Sequence, residues 1–137
     1  METAERILRE AKTIAVVGLS RDPAKTAHAV PKALQSFGYR IVPVTPHAAE
    51  LLGERAYASL ADVPGEIDVV EVFRPAEEAP GIAREAVAQG AKALWLQQGI
   101  VSDEARRIAE EGGLDYVEDQ CMAVARARFG IRPGNTG

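Results

Sequence analysis

Short apolar runs alternate with amphipathic stretches along this chain, and glycines punctuate them. Ile14 to Val17 is apolar without interruption, as a strand covered on both faces must be. Three further runs of this kind lie at Tyr39 to Val44, Ile67 to Phe73 and Ala91 to Leu96, and a shorter one at Leu114 to Glu118. Between them the apolar positions fall three and four apart. Ala27, Val30, Leu34 and Phe37 make one helical stripe, stopped by Gly38. Pro31 fits only a first turn, so the spacing predicts that this helix starts near Ala29. Pro75 to Gln89 predicts a helix with proline first, acids in its first turn and Gly90 as its stop. Ser102 to Glu111 predicts another, capped by Ser102 and stopped by Gly112 and Gly113.

The remaining segments are shorter. Thr3 to Ala11 predicts an amphipathic helix capped by Thr3, and Met122 to Phe129 a last short one. Pro43 predicts that the second strand frays at its end. Thr45 to Ala58 predicts a connection with a helical turn around Ala49 to Leu52, and Ser59 to Val63 another turn. Strands joined by helices imply an α/β fold: a Rossmann-like, doubly wound, five-stranded parallel sheet in three layers. Right-handed crossovers predict the strand order 3-2-1-4-5. One domain is expected over residues 1–130, with 131–137 a flexible tail.

The totals narrow the class. At 137 residues the chain can bury a core without staples. The net charge of −4 argues against a general nucleic-acid binder. No apolar run approaches the ~20 residues that span a bilayer. With no signal-like apolar stretch after Met1 and one cysteine, the cytoplasm is the expected compartment.

Ligands of such sheets bind beyond the carboxyl ends of the strands, where strand order reverses. Five segments land there: Gly18 to Lys25, Val44 to His47, Phe73-Arg74, Gln97 to Gly99 and Asp119 to Cys121. The first has one glycine where a dinucleotide fingerprint needs three. Its backbone N–H groups and the Ser20 hydroxyl can still cradle a phosphate, with Arg21 and Lys25 as cations, or it is a solvated loop. No acid follows between Tyr39 and Ala49 to take a ribose hydroxyl, which argues against an NAD dehydrogenase. Val44 and Pro46 offer an apolar contact to an adenine ring, or merely stiffen a strand exit. Glu71 is a carboxylate inside an apolar strand, so it is either a general base or a satisfied structural hydrogen-bonder. Arg74 is its candidate partner or a phosphate ligand. His28, His47 and Cys121 show no metal spacing, and Cys121 is either a reactive thiol near the ligand or an inert half-buried one.

Five motifs in order carry a resemblance: G-L-S-R-D-P-A-K, V-P-V-T-P, V-F-R-P, G-A-K-A-L-W-L-Q-Q-G-I and D-Q-C. Together they resemble the small single-domain CoA-binding proteins, which are similar to the CoA-binding N-terminal domain of the succinyl-CoA synthetase alpha subunit. The resemblance runs from Ile14 to Cys121 and implies a Rossmann-like fold that holds coenzyme A. It implies that Gly18, Ser20, Arg21 and Lys25 meet the phosphates and that Val44, Thr45 and Pro46 lie near the nucleotide. Phe73 and Arg74 would border the adenine or the pyrophosphate, and Gln97 and Gly99 would lie toward the pantetheine arm. Two departures matter. The synthetase subunit has a lysine soon after its V-T-P, where His47, Ala48 and Ala49 stand here. The synthetase also phosphorylates a histidine in a second domain, and neither that domain nor an equivalent histidine is expected here.

The expectation is therefore a non-catalytic or regulatory protein that binds CoA or an acyl-CoA. The alternatives are a small acyl-CoA-handling enzyme using Glu71 or Cys121, or an NAD(P)-linked one. Cys121 is further expected within disulfide reach of the CoA thiol.

Overall fold

The computed structural model describes residues 1–131. Helix α1 (Thr3–Glu10) buries Ala4, Ile7 and Leu8. Its N-cap is Glu2 rather than the expected Thr3, and no side chain caps it. Strand β1 (Thr13–Val17) follows, then α2 (Thr26–Ser36) and strand β2 (Arg40–Val44). The expected helical turn near Ala49 is instead a hairpin of β3 (Glu50–Leu51) and β4 (Glu54–Arg55). Its two turn residues, Leu52 and Gly53, both take positive φ, 55° and 74°. That is the backbone of a tight hairpin turn matched to strand twist. A 3-10 turn at Leu60–Asp62 leads to β5 (Val69–Val72).

After β5 the chain makes a 3-10 turn, Ala76–Glu78, before α3 (Ala79–Ala88), where one continuous helix was expected. Strand β6 (Ala93–Leu96), helix α4 (Asp103–Glu111), strand β7 (Asp115–Val117) and helix α5 (Met122–Phe129) complete the described chain. Ser102 caps α4 as expected, its hydroxyl accepting from the Ala105 N–H at 3.1 Å. Ile131, expected to open a flexible tail, is 1% exposed and packs into the core. The rest of that tail, 132–137, lies outside the described residues.

The sheet is parallel throughout, in the order β2-β1-β5-β6-β7. Counting only its members in chain order, this is 2-1-3-4-5, which corrects the expected 3-2-1-4-5. Pro43 supplies the reason. In an extended strand the N–H and C=O of one residue point to the same side. The Pro43 carbonyl accepts from the Tyr57 N–H, 3.0 Å away, on the side facing away from β1. The proline's missing donor therefore faces outward, which a strand sandwiched between two neighbours would not tolerate. β2 must be an edge, so the third strand of the sheet pairs on the far side of β1. Tyr57 blunts that edge: its carbonyl also accepts from Thr45 N–H at 2.8 Å.

Alternate residues of each strand face opposite cores. Ile14, Val16, Val69 and Trp95 pack beneath α1, α2 and α5. Ala15, Val70, Val72, Leu94 and Leu96 pack against α3, α4 and the 3-10 turn at Leu60. Each fully buried side chain of leucine or isoleucine size contributes about 1.5–3 kcal/mol. The result is the expected three-layer Rossmann-like α/β fold. Among the described residues, no helix is long and apolar enough to cross a membrane. With the corrected order, the reversal of strand order falls between β1 and β5, where such sheets open a crevice.

Candidate functional site

The loop after β1 is held from three sides. Gly18 donates its N–H to the Val44 carbonyl at 3.0 Å, tying the exits of β1 and β2 together. Gly18 also takes φ of 92°, and a Cβ there would lie 2.9 Å from Arg74 Cδ and 3.1 Å from the Phe73 carbonyl oxygen. Only glycine fits both the backbone angle and the close passage of the chain leaving β5. Two residues on, Ser20 gives its N–H to the Ala27 carbonyl at 3.1 Å. Its own carbonyl sits 2.7 Å from His28 Nδ1. A carbonyl can only accept, so Nδ1 carries the proton.

The rest of the loop satisfies itself. The Ser20 hydroxyl accepts from Asp22 N–H, and the Asp22 carboxylate accepts from Ala24 N–H. Lys25 N–H bonds the Asp22 carbonyl. The N–H groups of Ser20, Asp22, Ala24 and Lys25 are thus engaged within the loop, while the Ser20 hydroxyl, which only accepts here, keeps its own O–H to donate. The N–H groups of Thr26 and Ala27, at the start of α2, have no acceptor among the described residues. A helix start of this kind suits an anion.

The loops enclose a crevice of about 580 Å³ lined by Gly18, Ser20, Arg21, Asp22, Lys25, Thr45, His47, Phe73 and Arg74. A second lobe of about 260 Å³ opens beside it, with Val44, Pro46, Leu60, Glu78, Ile82 and Glu85 added to Gly18, Thr45, His47 and Arg74. An outer groove runs from Lys25, Phe73 and Arg74 to Gln97, Gln98 and Ile100. Seven of the eleven expected site residues therefore surround the main crevice, and Val44 and Pro46 reach it through the second lobe. Gln97 is the edge of the set: it is buried, and its side-chain oxygen accepts from Met122 N–H at 3.2 Å, fixing the start of α5. Gly99 lines none of these spaces; its N–H donates to Asp119 at 2.7 Å. Cys121 is a half-buried free thiol that lines none of them either.

Arg21, Lys25 and Arg74 bring three cations to the crevice. Arg21 and Lys25 are exposed and have no ion-pair partner among the described residues. Of the two roles expected for Arg74, partner of Glu71 or phosphate ligand, the first does not occur: Arg74 is paired with Glu78, through Nε–Oε1 at 3.1 Å and a second bond at 2.7 Å. The Arg74 guanidinium holds the Glu78 carboxyl below its usual range. Sequence reasoning missed Glu78, although the opposite charges four residues apart were the available signal.

Glu71 stands flanked by Val16 and Trp95 in the neighbouring strands and is 0% exposed. Neither carboxyl oxygen has a hydrogen-bond partner among the described residues, and burial pushes its pKa up to about 8. It is not the satisfied hydrogen-bonder that its place in a strand implied. It lines none of the three spaces, which leaves it no route to act there as a base. A smaller cavity, about 140 Å³ at the opposite ends of the strands, is closed by the Arg6–Asp115 and Lys92–Asp68 ion pairs.

Known proteins share both sequence and geometry. Residues 12–127 match the family described as CoA binding domain. The uncharacterized protein YneT of Bacillus subtilis is 46% identical over 90% of this chain and 91% of its own length. An ADP-forming acetate–CoA ligase II of Archaeoglobus fulgidus is 30% identical over 92% of this chain, which spans only 18% of that enzyme. The solved structure of cell-free ID.343 from Thermus thermophilus superposes with a TM-score of 0.88 at 39% identity, covering 94% of this chain and 99% of that one. With the family matched across most of its length and relatives similar over the same span, the chain belongs to the CoA-binding domain family.

Proposed function

We propose that this protein binds coenzyme A, or an acyl-CoA, in the crevice at the carboxyl ends of β1, β2 and β5, and does so without catalysing a reaction itself. The observation that carries the reading is the gathering of Arg21, Lys25 and Arg74 beside two unpaired N–H groups at the start of α2. Cations and a helix start in one concave space suit a polyphosphate. The second lobe, walled by Val44, Pro46, Leu60 and Ile82, suits an uncharged ring. The outer groove toward Gln97 gives an extended arm somewhere to lie. Membership of the CoA-binding domain family supports the choice of CoA among polyphosphate ligands.

A non-catalytic role is supported by what surrounds the crevice. Among the described residues, no buried base stands beside its cations and hydroxyls, and Glu71 and Cys121 line none of the three spaces. Titration calorimetry with CoA, acetyl-CoA, NAD and ATP tests the reading. Binding of CoA or acetyl-CoA ahead of NAD and ATP is expected. NAD binding without CoA binding overturns it.

A further inference from the structure

The Arg74 stem and head have different freedoms. Its Cγ and Cδ pass so close to Gly18 that a methyl group there would collide with them, at 3.3 and 2.9 Å. The stem is wedged between the loops that leave β1 and β5. The head is half-exposed, and its fork is occupied by Glu78 through two parallel bonds of 3.1 and 2.7 Å. A guanidinium fork grips a phosphate with the same pair of donors. Arg74 borders both the main crevice and the second lobe, whereas Glu78 borders the lobe and not the main crevice. Of the three crevice cations, Arg74 alone has a carboxylate of its own among the described residues.

We propose that Glu78 is a built-in competitor that holds the Arg74 fork on the side of the second lobe until a ligand phosphate takes its place. The inference rests on the crevice being a CoA site. Exchange requires somewhere for the displaced carboxylate to go. Glu78 is the N-cap residue of α3 and makes no capping bond while Arg74 holds it. Once released, its carboxylate, already about half-exposed, is taken up by solvent at the start of α3, where negative charge is favoured. The head then has two homes and the carboxylate has two homes. A ligand whose phosphate reaches Arg74 shifts both, and a ligand without one shifts neither.

The test is a double-variant cycle by calorimetry, with CoA and with inorganic pyrophosphate as probes. E78Q keeps the side-chain volume and removes the competing charge. CoA is expected to bind E78Q roughly two- to five-fold tighter than the unaltered protein, the range that loss of an exposed ion pair allows. R74Q removes the charged fork that Glu78 competes for, so R74Q/E78Q is expected to bind no tighter than R74Q. Unchanged or weaker binding by E78Q overturns the proposal, since Glu78 would then merely support Arg74 or stand aside. An equal gain from E78Q in the R74Q background overturns it too, because the effect would not pass through Arg74. Should neither the unaltered protein nor E78Q bind CoA, the CoA reading fails. Pyrophosphate then decides the competitor alone: tighter binding by E78Q keeps it and unchanged binding removes it.

Discussion

The Ser20 N–H donates across 3.1 Å to the carbonyl of Ala27, an acceptor that helix α2 cannot use. In a regular helix that carbonyl would serve the N–H four residues on. Here that residue is Pro31, which has none. The proline that should break α2 instead frees a carbonyl, and the loop after β1 takes it. His28, in the first turn of the same helix, holds the other side of Ser20 by donating to the Ser20 carbonyl. A helix defect and a binding-loop tether are thus the same feature.

Pro31→Ala restores an N–H that competes for the Ala27 carbonyl. Amide exchange at Ser20 is expected to quicken by roughly two- to ten-fold, the equivalent of one hydrogen bond worth about 0.5–1.5 kcal/mol. CoA binding is expected to weaken alongside it. Hydrogen exchange read residue by residue checks this. Unaltered protection at Ser20 would show that the tether does not depend on the proline.

Gly18→Ala meets two obstacles. Its φ of 92° disfavours a side chain, and the Phe73 carbonyl oxygen at 3.1 Å is backbone that cannot swing aside. Destabilisation of about 1–3 kcal/mol is expected from the backbone alone. Urea unfolding measures it. A variant as stable as the parent would mean that the two loops separate without cost.

The elements were legible in the sequence wherever period and stop signals agreed. Five apolar runs became the five strands of the sheet, and Met122–Phe129 was predicted to the residue. Strand order was not legible from crossover handedness alone, but Pro43 carried it. A proline inside a strand, with its missing donor facing outward, marks an edge rather than the fraying that its position suggests. The start of α2 was misplaced because Pro31 is tolerated only through Ser20, a contact that no local pattern announces. The hairpin was missed because Leu52, at φ of 55°, is not a residue that signals such a turn. Most of the candidate crevice followed from topology, since loops at strand ends converge whichever neighbour each strand takes. Gly99 and Cys121 did not follow: the Gly99 N–H is tied back to Asp119 in the loop after β7, and Cys121 sits just before α5, whose start Gln97 fixes.

Lys25 stands at the mouth of the crevice and at the N-cap of α2, with its side chain making no capping bond. If its ammonium meets a phosphate, Lys25→Ala removes a charge-assisted bond. CoA affinity is expected to fall by about 1–3 kcal/mol. The dependence of affinity on salt is expected to become shallower at the same time. Unchanged affinity in calorimetry removes Lys25 from the site.

Glu71 makes the stability of the fold depend on pH. Burial raises its pKa from 4.5 to about 8, so the folded chain keeps a proton that the unfolded chain releases. Below pH 4.5 both states are protonated and the fold bears no ionisation penalty. As pH rises from there toward 8, the unfolding free energy falls by about 1.4 kcal/mol per unit. Above 8 both states are ionised and the loss is complete. Glu71→Gln keeps the shape of the side chain and removes the proton. The stability of E71Q relative to the unaltered protein is therefore expected to grow between pH 5 and pH 8, and to level off beyond. Urea unfolding of both proteins across that range measures the difference, in which the titration of every other group cancels. A difference that stays constant with pH would mean that Glu71 ionises in the folded chain as readily as in the unfolded one.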